Sequence, residues 1–496
     1  MKQASRFEVI AARCWNLLNE GKPFTPIFVV GTFLLFHLSD LASPLFWQQA
    51  LLGLILLAPI IAIFVSYDFP LFLRNYLWLP FIAYLMIWEN VNVALLFTAV
   101  GLYFFFTVFF WGTLYYHLRI GTDWLNFTRF WKLVLKNSDS TSGNAQEQLP
   151  KFLLLLTFWE LFVTDFPQGG ALVSYGWFVV ALVVFSWILH HYLFDWKPVE
   201  HLPFTNNAAE NNEPLTKKVV MIVVDGMRKE RFQEANTPFL DSLRNNGTEY
   251  TQMETVYPAR TVVCFSSMMT GTYPKEHGIK SNMVWKLGVN TETIFDSLRK
   301  INKKGRLLGI AHLIDSMGDD VDAITAVMDK DEADRNIIER AKHIMLNEDP
   351  DFINIQLIGT DQIGHSRGVL YDDYIEKIEE ADRLIEEFVS FLDENGQMED
   401  TTILICADHG QADGIGGHGH LDEGERFVPF FLYGNAIEQG KKVEDRHSLI
   451  STAPTIAYLL GAPYPSHSRG PVLLEAVKER MNTEYETKVN RISSGI

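Results

Sequence analysis

Nothing constrains this chain more than where its apolar residues fall: up to about Trp196 they form long runs with few charges, and beyond Lys197 they alternate with polar residues in short periods. A run with no polar face is not built for water, so the two halves suit two different solvents. The apolar stretches lie at residues 24–41, 45–67, 76–88, 91–116, 152–164 and 171–193. Several reach the ~20 residues a helix needs to cross a bilayer, and six crossings are expected. The third and fifth are short and carry Pro80 and Glu160. A re-entrant or tightly packed form of either would change the parity of the count. The polar N-terminus has no small-residue cleavage site, so a removable signal peptide is not expected.

Loop charge sets the expected orientation. Lys2, Arg6, Arg13 and Lys22 precede the first stretch, Arg74 lies between the second and third, and Arg119, Arg129, Lys132, Lys136 and Lys151 lie between the fourth and fifth. The positive-inside rule then places both termini, and the whole second half, on the cytoplasmic side of the cell membrane; one miscounted span reverses this. Between Arg119 and Lys136, Trp124, Phe127, Trp131 and Leu135 share one helical face, and Arg129, Lys132 and Lys136 lie towards another. That pattern suits a helix in the headgroup layer or a connecting helix packed on the bundle. Residues 137–148 read as a flexible loop and 197–216 as a linker, giving a multi-pass domain over 1–196 and a second domain over 217–496.

The net charge of -18 sits mainly in the second half and argues against a nucleic-acid partner. Cys14, Cys264 and Cys406 do not suggest a disulfide framework. From Lys217 onward, β-rich runs at 219–224, 306–313, 351–359, 401–407 and 429–434 alternate with helical patterns, which implies a mostly parallel sheet covered by helices. Such sheets bind ligands beyond the C-terminal ends of their strands. There the chain places Asp225 after the first run, Asp361 and His365 after the third, and Asp408 and His409 after the fourth, with His418 close behind. Any one of these is equally a turn or cap residue. Together they form a mixed nitrogen and oxygen donor set suited to Zn²⁺, or to a similar divalent ion such as Mn²⁺, and larger than one tetrahedral ion needs. Two ions sharing one site is the economical expectation.

Pro258 and Arg260 precede a helical run that starts at Thr261 and ends near Gly271. Thr261 therefore stands at a helix N-terminus, where the macrodipole and free N–H groups favour an anionic oxygen. Alone it reads as an N-cap; beside the donor set it becomes a candidate nucleophile.

These segments resemble the alkaline phosphatase superfamily and, within it, the type I phosphodiesterase/nucleotide pyrophosphatase branch. The resemblance covers roughly residues 218–477 and rests on VVDGMR, ARTVVCFSSMMTGTYPKEHGI, IGTDQIGHSRG, CADHGQAD, GGHGH and STAPTIAYLLG. It implies an α/β alkaline-phosphatase-like domain, a mostly parallel sheet flanked by helices, behind an α-helical transmembrane bundle. Carried over by motif, Asp225, Thr261, Asp408 and His409 hold one metal, and Asp361, His365 and His418 the other. His420 is the alternative to His418; the spacing from His418 to Pro429 and Gly434 looks like that of the glycosylphosphatidylinositol ethanolamine phosphate transferases and favours His418. One departure is Cys264, three residues after Thr261, where many nucleotide pyrophosphatases carry Asn. It puts a nucleotide substrate in doubt and leaves Arg228, Arg260 and Lys280 as candidate phosphate donors.

Two cations about 4 Å apart bind both the attacking and the leaving oxygen of an in-line displacement. The resemblance thus implies attack of Thr261 on phosphorus and release of the phospho-threonine by water or an acceptor alcohol. The expected activity is a membrane-anchored two-metal phosphoester hydrolase, most concretely a phosphodiesterase or pyrophosphatase. A phospho-headgroup transferase acting on a lipid or lipid-linked substrate and a phosphomonoesterase are the alternatives. A non-catalytic membrane module is disfavoured by the complete nucleophile and ligand set. Expected partners are a phosphoester substrate, lipid-linked ones included, and membrane lipid; the oligomeric state is open. His277, His312, His343, His447 and His467 stand outside the site, His277 in a structural role.

Overall fold

A computed structural model describes residues 24–66, 76–88, 91–106, 148–165, 171–193, 200, 207–282, 284, 287–324, 332–412, 417–419 and 423–478. Apart from Lys151, the loop charges that set the expected orientation lie outside the described residues, as do the 119–136 stretch, most of the 137–148 loop, Cys14 and His420.

The N-terminal region is helical: α1 (Phe24–Phe36), α2 (Pro44–Ser66), α3 (Trp78–Ile87), α4 (Val93–Phe104), α5 (Leu149–Asp165) and α6 (Ala171–Ile188). Among the described residues only two helical segments, Pro44–Ser66 and Leu172–Tyr192, are long and apolar enough to cross a bilayer, against the six crossings expected. The difference is length: at about 1.5 Å per residue the other helices fall short of a ~30 Å hydrocarbon core. The fifth stretch takes the packed form. Phe152, Leu155, Leu156, Phe158 and Phe162 of α5 are all fully buried. Trp159 stacks on Phe33 with ring centroids 3.8 Å apart and donates from Nε1 to the Ala50 carbonyl at 3.0 Å. Gly53 makes room for this indole, since a Cβ there would lie 2.7 Å from Trp159 Cδ1. Glu160 is met by His37 Nε2 at 2.7 Å. Lys151, read above as a loop charge, is buried inside α5 with Nζ 5.3 Å from the Phe64 ring centre. Ile55, Phe97 and Trp177 point outward, the inverse of a water-soluble bundle.

The second half is built on a sheet that has nine strands among the described residues: β1 (Lys218–Val224), β2 (Thr248–Glu254), β3 (Gly305–Ile310), β4 (Val321–Ile324), β5 (Phe352–Leu357), β6 (Thr401–Cys406), β7 (Phe427–Val428), β8 (Phe430–Tyr433) and β9 (Lys441–Ser448). They run in the order β4-β3-β5-β1-β6-β8-β2-β7, with β9 on β2. The pairs from β4 to β6 are parallel; β8 turns antiparallel against β6. Helices cover both faces, so Val219–Val224 of β1 is buried throughout and needs no polar alternation. Five strands coincide with the expected runs, while β2, β4, β7 and β9 were not expected. The central fact for function is adjacency: β5, β1 and β6 are neighbours, so the segments carrying Asp361, Asp225 and Asp408 leave the same edge side by side. Four helices frame that edge, α7 (Thr261–Thr270), α8 (Ala333–Asn347), α9 (Gly359–Arg367) and α10 (Asp372–Glu394). The described part of the expected linker lies against this half: Asn207 Nδ2 donates to Val472 O at 2.8 Å and Leu215 N to Leu459 O at 2.8 Å.

Candidate active site

The expected site residues sit just beyond strand ends, in the first turns of helices, or on a loop. Asp225 closes β1, and Gly226 follows with φ 68°, a left-handed turn that glycine takes at no steric cost. Gly226 N donates to Asp408 Oδ1 at 3.2 Å, tying the end of β1 to the end of β6. Asp361 and His365 lie four apart on α9 and so on one helical face, with His365 Nε2 3.3 Å from Asp361 Oδ2. Thr261 opens α7, and its Oγ1 is 3.3 Å from His409 Nε2. His418 reaches in from a loop, its ring stacked on His409 at 3.7 Å and its Nε2 3.2 Å from His365 Nε2.

The structure thus brings all seven expected residues together. Two donor groups, Asp361/His365/His418 and Asp225/Asp361/His409, each have their ligand atoms within 4.8 Å of one another. The resemblance assigned Asp361 to one ion, whereas its carboxylate here serves both groups. Asp408 adjoins the second group, with Oδ2 3.3 Å from His409 Nε2. His418 Nδ1 donates to the Ala259 carbonyl at 2.7 Å and His409 Nδ1 to the Gly410 carbonyl at 2.9 Å. Those bonds set the tautomer that turns each Nε2 lone pair towards the cluster.

Charge is crowded here. Burial lifts Asp225 well above the usual carboxylate range, and neighbouring Asp408 and Asp361 add to the rise. Burial also pushes Asp408 up to about 7, with Asp361 contributing. Burial opposes the ionised form of Asp361 too, but the imidazoles of His365, His418 and His409 hold it below its ordinary value. Burial lowers His409 to about 4 and His418 to about 3, so both imidazoles are neutral, as ligands must be. Asp225 Oδ1 and Asp408 Oδ2 are buried with no hydrogen-bond donor among the described residues. Orphaned carboxylate oxygens beside neutral imidazoles fit divalent cations, which supply the missing positive charge.

Several contributors escaped the sequence reading. Gln356, a polar residue inside an apolar strand, donates to Asp225 Oδ2 at 2.6 Å while its Oε1 takes Ile310 N at 2.9 Å. Gln411 donates to Asp361 Oδ1 at 2.8 Å. Tyr374 of α10 donates to Gly226 O at 2.5 Å and accepts from Arg228 N at 3.0 Å, bracing the turn after Asp225. Asn282 accepts from Val262 N at 2.9 Å, which puts an amide beside Thr261 where Cys264 offers none. Cys264 is buried, its thiol pushed well up by burial, and it contacts Thr255 Oγ1 at 3.2 Å. Of the other candidate donors, Arg228 pairs with Glu230, Arg260 Nη1 reaches Ser281 Oγ at 3.4 Å, and Lys280 is exposed. His277 is structural, held between Ser267 Oγ at 2.9 Å and Ile279 N at 3.1 Å.

Residues 219–303 match the family model of type I phosphodiesterase / nucleotide pyrophosphatase, and residues 331–462 match the sulfatase model. Human GPI ethanolamine phosphate transferase 3, catalytic subunit, is 30% identical over 152 residues, covering 30% of this chain and 13% of that protein. Mouse ectonucleotide pyrophosphatase/phosphodiesterase family member 1 is 25% identical over 228 residues, covering 42% of this chain and 25% of that protein. This chain therefore spans a quarter or less of either relative. Among solved structures, the alkaline phosphatase PafA aligns at 12% identity and a TM-score of 0.47 over 54% of this chain and 100% of its own. Residues 219–303 are thus similar to the type I phosphodiesterase / nucleotide pyrophosphatase model and residues 331–462 to the sulfatase model, within an α/β domain that lies behind a helical N-terminal region with two candidate apolar spans.

Proposed function

We propose that this chain is a membrane-anchored, two-metal phosphoester hydrolase, a phosphodiesterase working through a phospho-Thr261 intermediate, with membrane domain 1–196, linker 197–216 and catalytic domain 217–496. The observation that carries the reading is Thr261 Oγ1, buried at the start of α7, 3.3 Å from His409 and beside two donor groups that share Asp361. Asp225, Asp408, His409 and Thr261 would hold one ion and Asp361, His365 and His418 the other, Zn²⁺ being the first choice and Mn²⁺ the second. When bound, divalent ions supply Lewis-acid polarisation of the phosphoryl group and lower the pKa of bound hydroxyls. The start of α7 places Thr261 Oγ where free backbone N–H groups and the helix dipole favour developing negative charge. Its oxygen forms a bond to phosphorus as the bond to the leaving alcohol breaks. Asn282, with its carbonyl oxygen taken by Val262 N, turns its amide donor to a phosphoryl oxygen. Water then displaces Thr261 from phosphorus and the hydroxyl is restored.

A second reading ends the cycle with an acceptor alcohol in place of water. It is supported by the similarity to GPI ethanolamine phosphate transferase 3 and by the apolar helices in the same chain. One assay addresses both: release of p-nitrophenol from bis-p-nitrophenyl phosphate and from the mono-ester, with Zn²⁺, Mn²⁺ or chelator. Chelator-sensitive turnover favouring the bis-ester is expected, with a loss of at least about 1,000-fold in Thr261→Ala at unchanged metal content. Retained turnover in Thr261→Ala removes the covalent route. Headgroup transfer to an added alcohol without hydrolysis selects the transferase.

A further inference from the structure

Exposed apolar side chains are scattered on most soluble domains, and single ones carry no message. Here their distribution does. Among the described residues from 207 onward, the strongly exposed large apolar side chains are Leu287 (54%), Ile314 (42%), Leu346 (58%), Leu370 (62%) and Tyr371 (60%). Leu370 and Tyr371 follow α9, the helix of Asp361 and His365, on the loop into α10. Ile314 follows β3, the parallel neighbour of β5, so it leaves the sheet at the same edge. Leu287 joins it there: Gly288 N donates to Asp315 O at 2.8 Å, and the chain reaches this point shortly after Asn282. Leu346 alone is elsewhere, in the last turn of α8, which runs back to the start of β5 and the opposite edge.

The metal-ligand cluster is thus flanked by apolar side chains on the edge where it opens. The chain also shows what can cover them. Its apolar helical segment Leu172–Tyr192 is followed, after 25 intervening residues, by β1. On that connection Glu200 pairs with Lys275, and its Oε2 is 3.8 Å from Arg469 Nη1. Lys275 begins the segment that runs past Asn282 to Leu287. Glu200, eight residues beyond Tyr192, is therefore tied to the helix that leads into the segment of Asn282 and Leu287.

We propose that the catalytic edge of the sheet seats on a lipid surface, with Leu370 and Tyr371 on one side of the metal-ligand cluster and Leu287 and Ile314 on the other entering the headgroup layer. Leucine and tyrosine suit that layer, the first by transfer of apolar area and the second by an apolar ring with a polar tip. The proposal rests on the membrane attachment proposed above and adds an orientation: the site faces lipid headgroups, so phosphoesters presented by the bilayer reach Thr261 without crossing bulk water.

The test uses the full chain in phosphatidylcholine nanodiscs, in a Cys14→Ser background, since Cys264 and Cys406 are buried. Nitroxide labels are placed one at a time through Leu370→Cys, Leu346→Cys and Ile55→Cys. Power saturation then compares access of dissolved oxygen with access of a water-soluble nickel chelate. The oxygen-to-nickel ratio at position 370 is expected to exceed that at 346 several-fold and to approach that at 55. A lipid-like ratio at 55 with equal, aqueous ratios at 370 and 346 overturns the proposed seating and leaves membrane attachment standing. An aqueous ratio at 55 overturns the attachment and the seating together. All three positions are exposed, so the substitutions leave the fold intact.

Discussion

Asp334 shows how far from the donor cluster the shaping of this site begins. It is buried at the start of α8 and its Oδ1 accepts from Ile358 N at 2.7 Å and Gly359 N at 3.1 Å, fixing the chain just before Asp361. Burial raises it from 3.8 to about 6 despite those bonds. A carboxyl that binds its proton more tightly in the fold than in the unfolded chain stabilises most below the unfolded value, and that contribution fades as pH rises through about 6. In Asp334→Asn the carbonyl oxygen keeps both N–H partners and the titration is gone. Melting temperatures followed from acid to mildly alkaline pH should fall less for the variant than for the wild type; parallel curves would refute this. At this scale the chain declared its donors plainly, because acidic and imidazole side chains at strand ends are unusual as a set. It did not declare Asn282 or Gln411, whose neighbours are reached only through the fold.

Single elements place those donors. The turn after β1 works because Gly226 has no side chain: at φ 68°, a Cβ there would lie 2.8 Å from Asp361 Oδ1. Gly226→Ala should displace the carboxylate shared by both donor groups. Bound metal, measured by plasma mass spectrometry, and turnover should fall together by at least about 10-fold, consistent with loss of an orienting contact. The circular dichroism spectrum should not change. In the helical region Gly53 plays the matching part for Trp159, and Gly53→Val should cost about 1–3 kcal/mol of bundle stability by overpacking. A lower detergent melting point with unchanged catalytic turnover is the expected result. The apolar strands β1, β5 and β6 were legible because burial on both faces leaves a continuous hydrophobic run. By contrast β2 and β9, TEYTQME and KKVEDRHS, look like loops until they meet. Their register, Thr248 opposite Lys441, is a long-range choice.

Among the described residues the two large hydrophobic cores have no residue in common, one drawn from residues 29–182 and one from 219–476. A fragment starting at residue 207 should therefore fold cooperatively, bind metal and cleave bis-p-nitrophenyl phosphate within a few-fold of the full chain. A fragment that fails to fold would show that the helices complete the second core. The change in apolar pattern, the α/β class and the residues that gather in the donor cluster could all be read along the chain, since each depends on residue type and local period. Which helices are long enough to span, the enclosure of α5, the sharing of Asp361 between two donor groups and the return of Asn282 to Thr261 could not. Those facts depend on which distant segments become neighbours, and that is decided only when burial, strand order and packing are satisfied together.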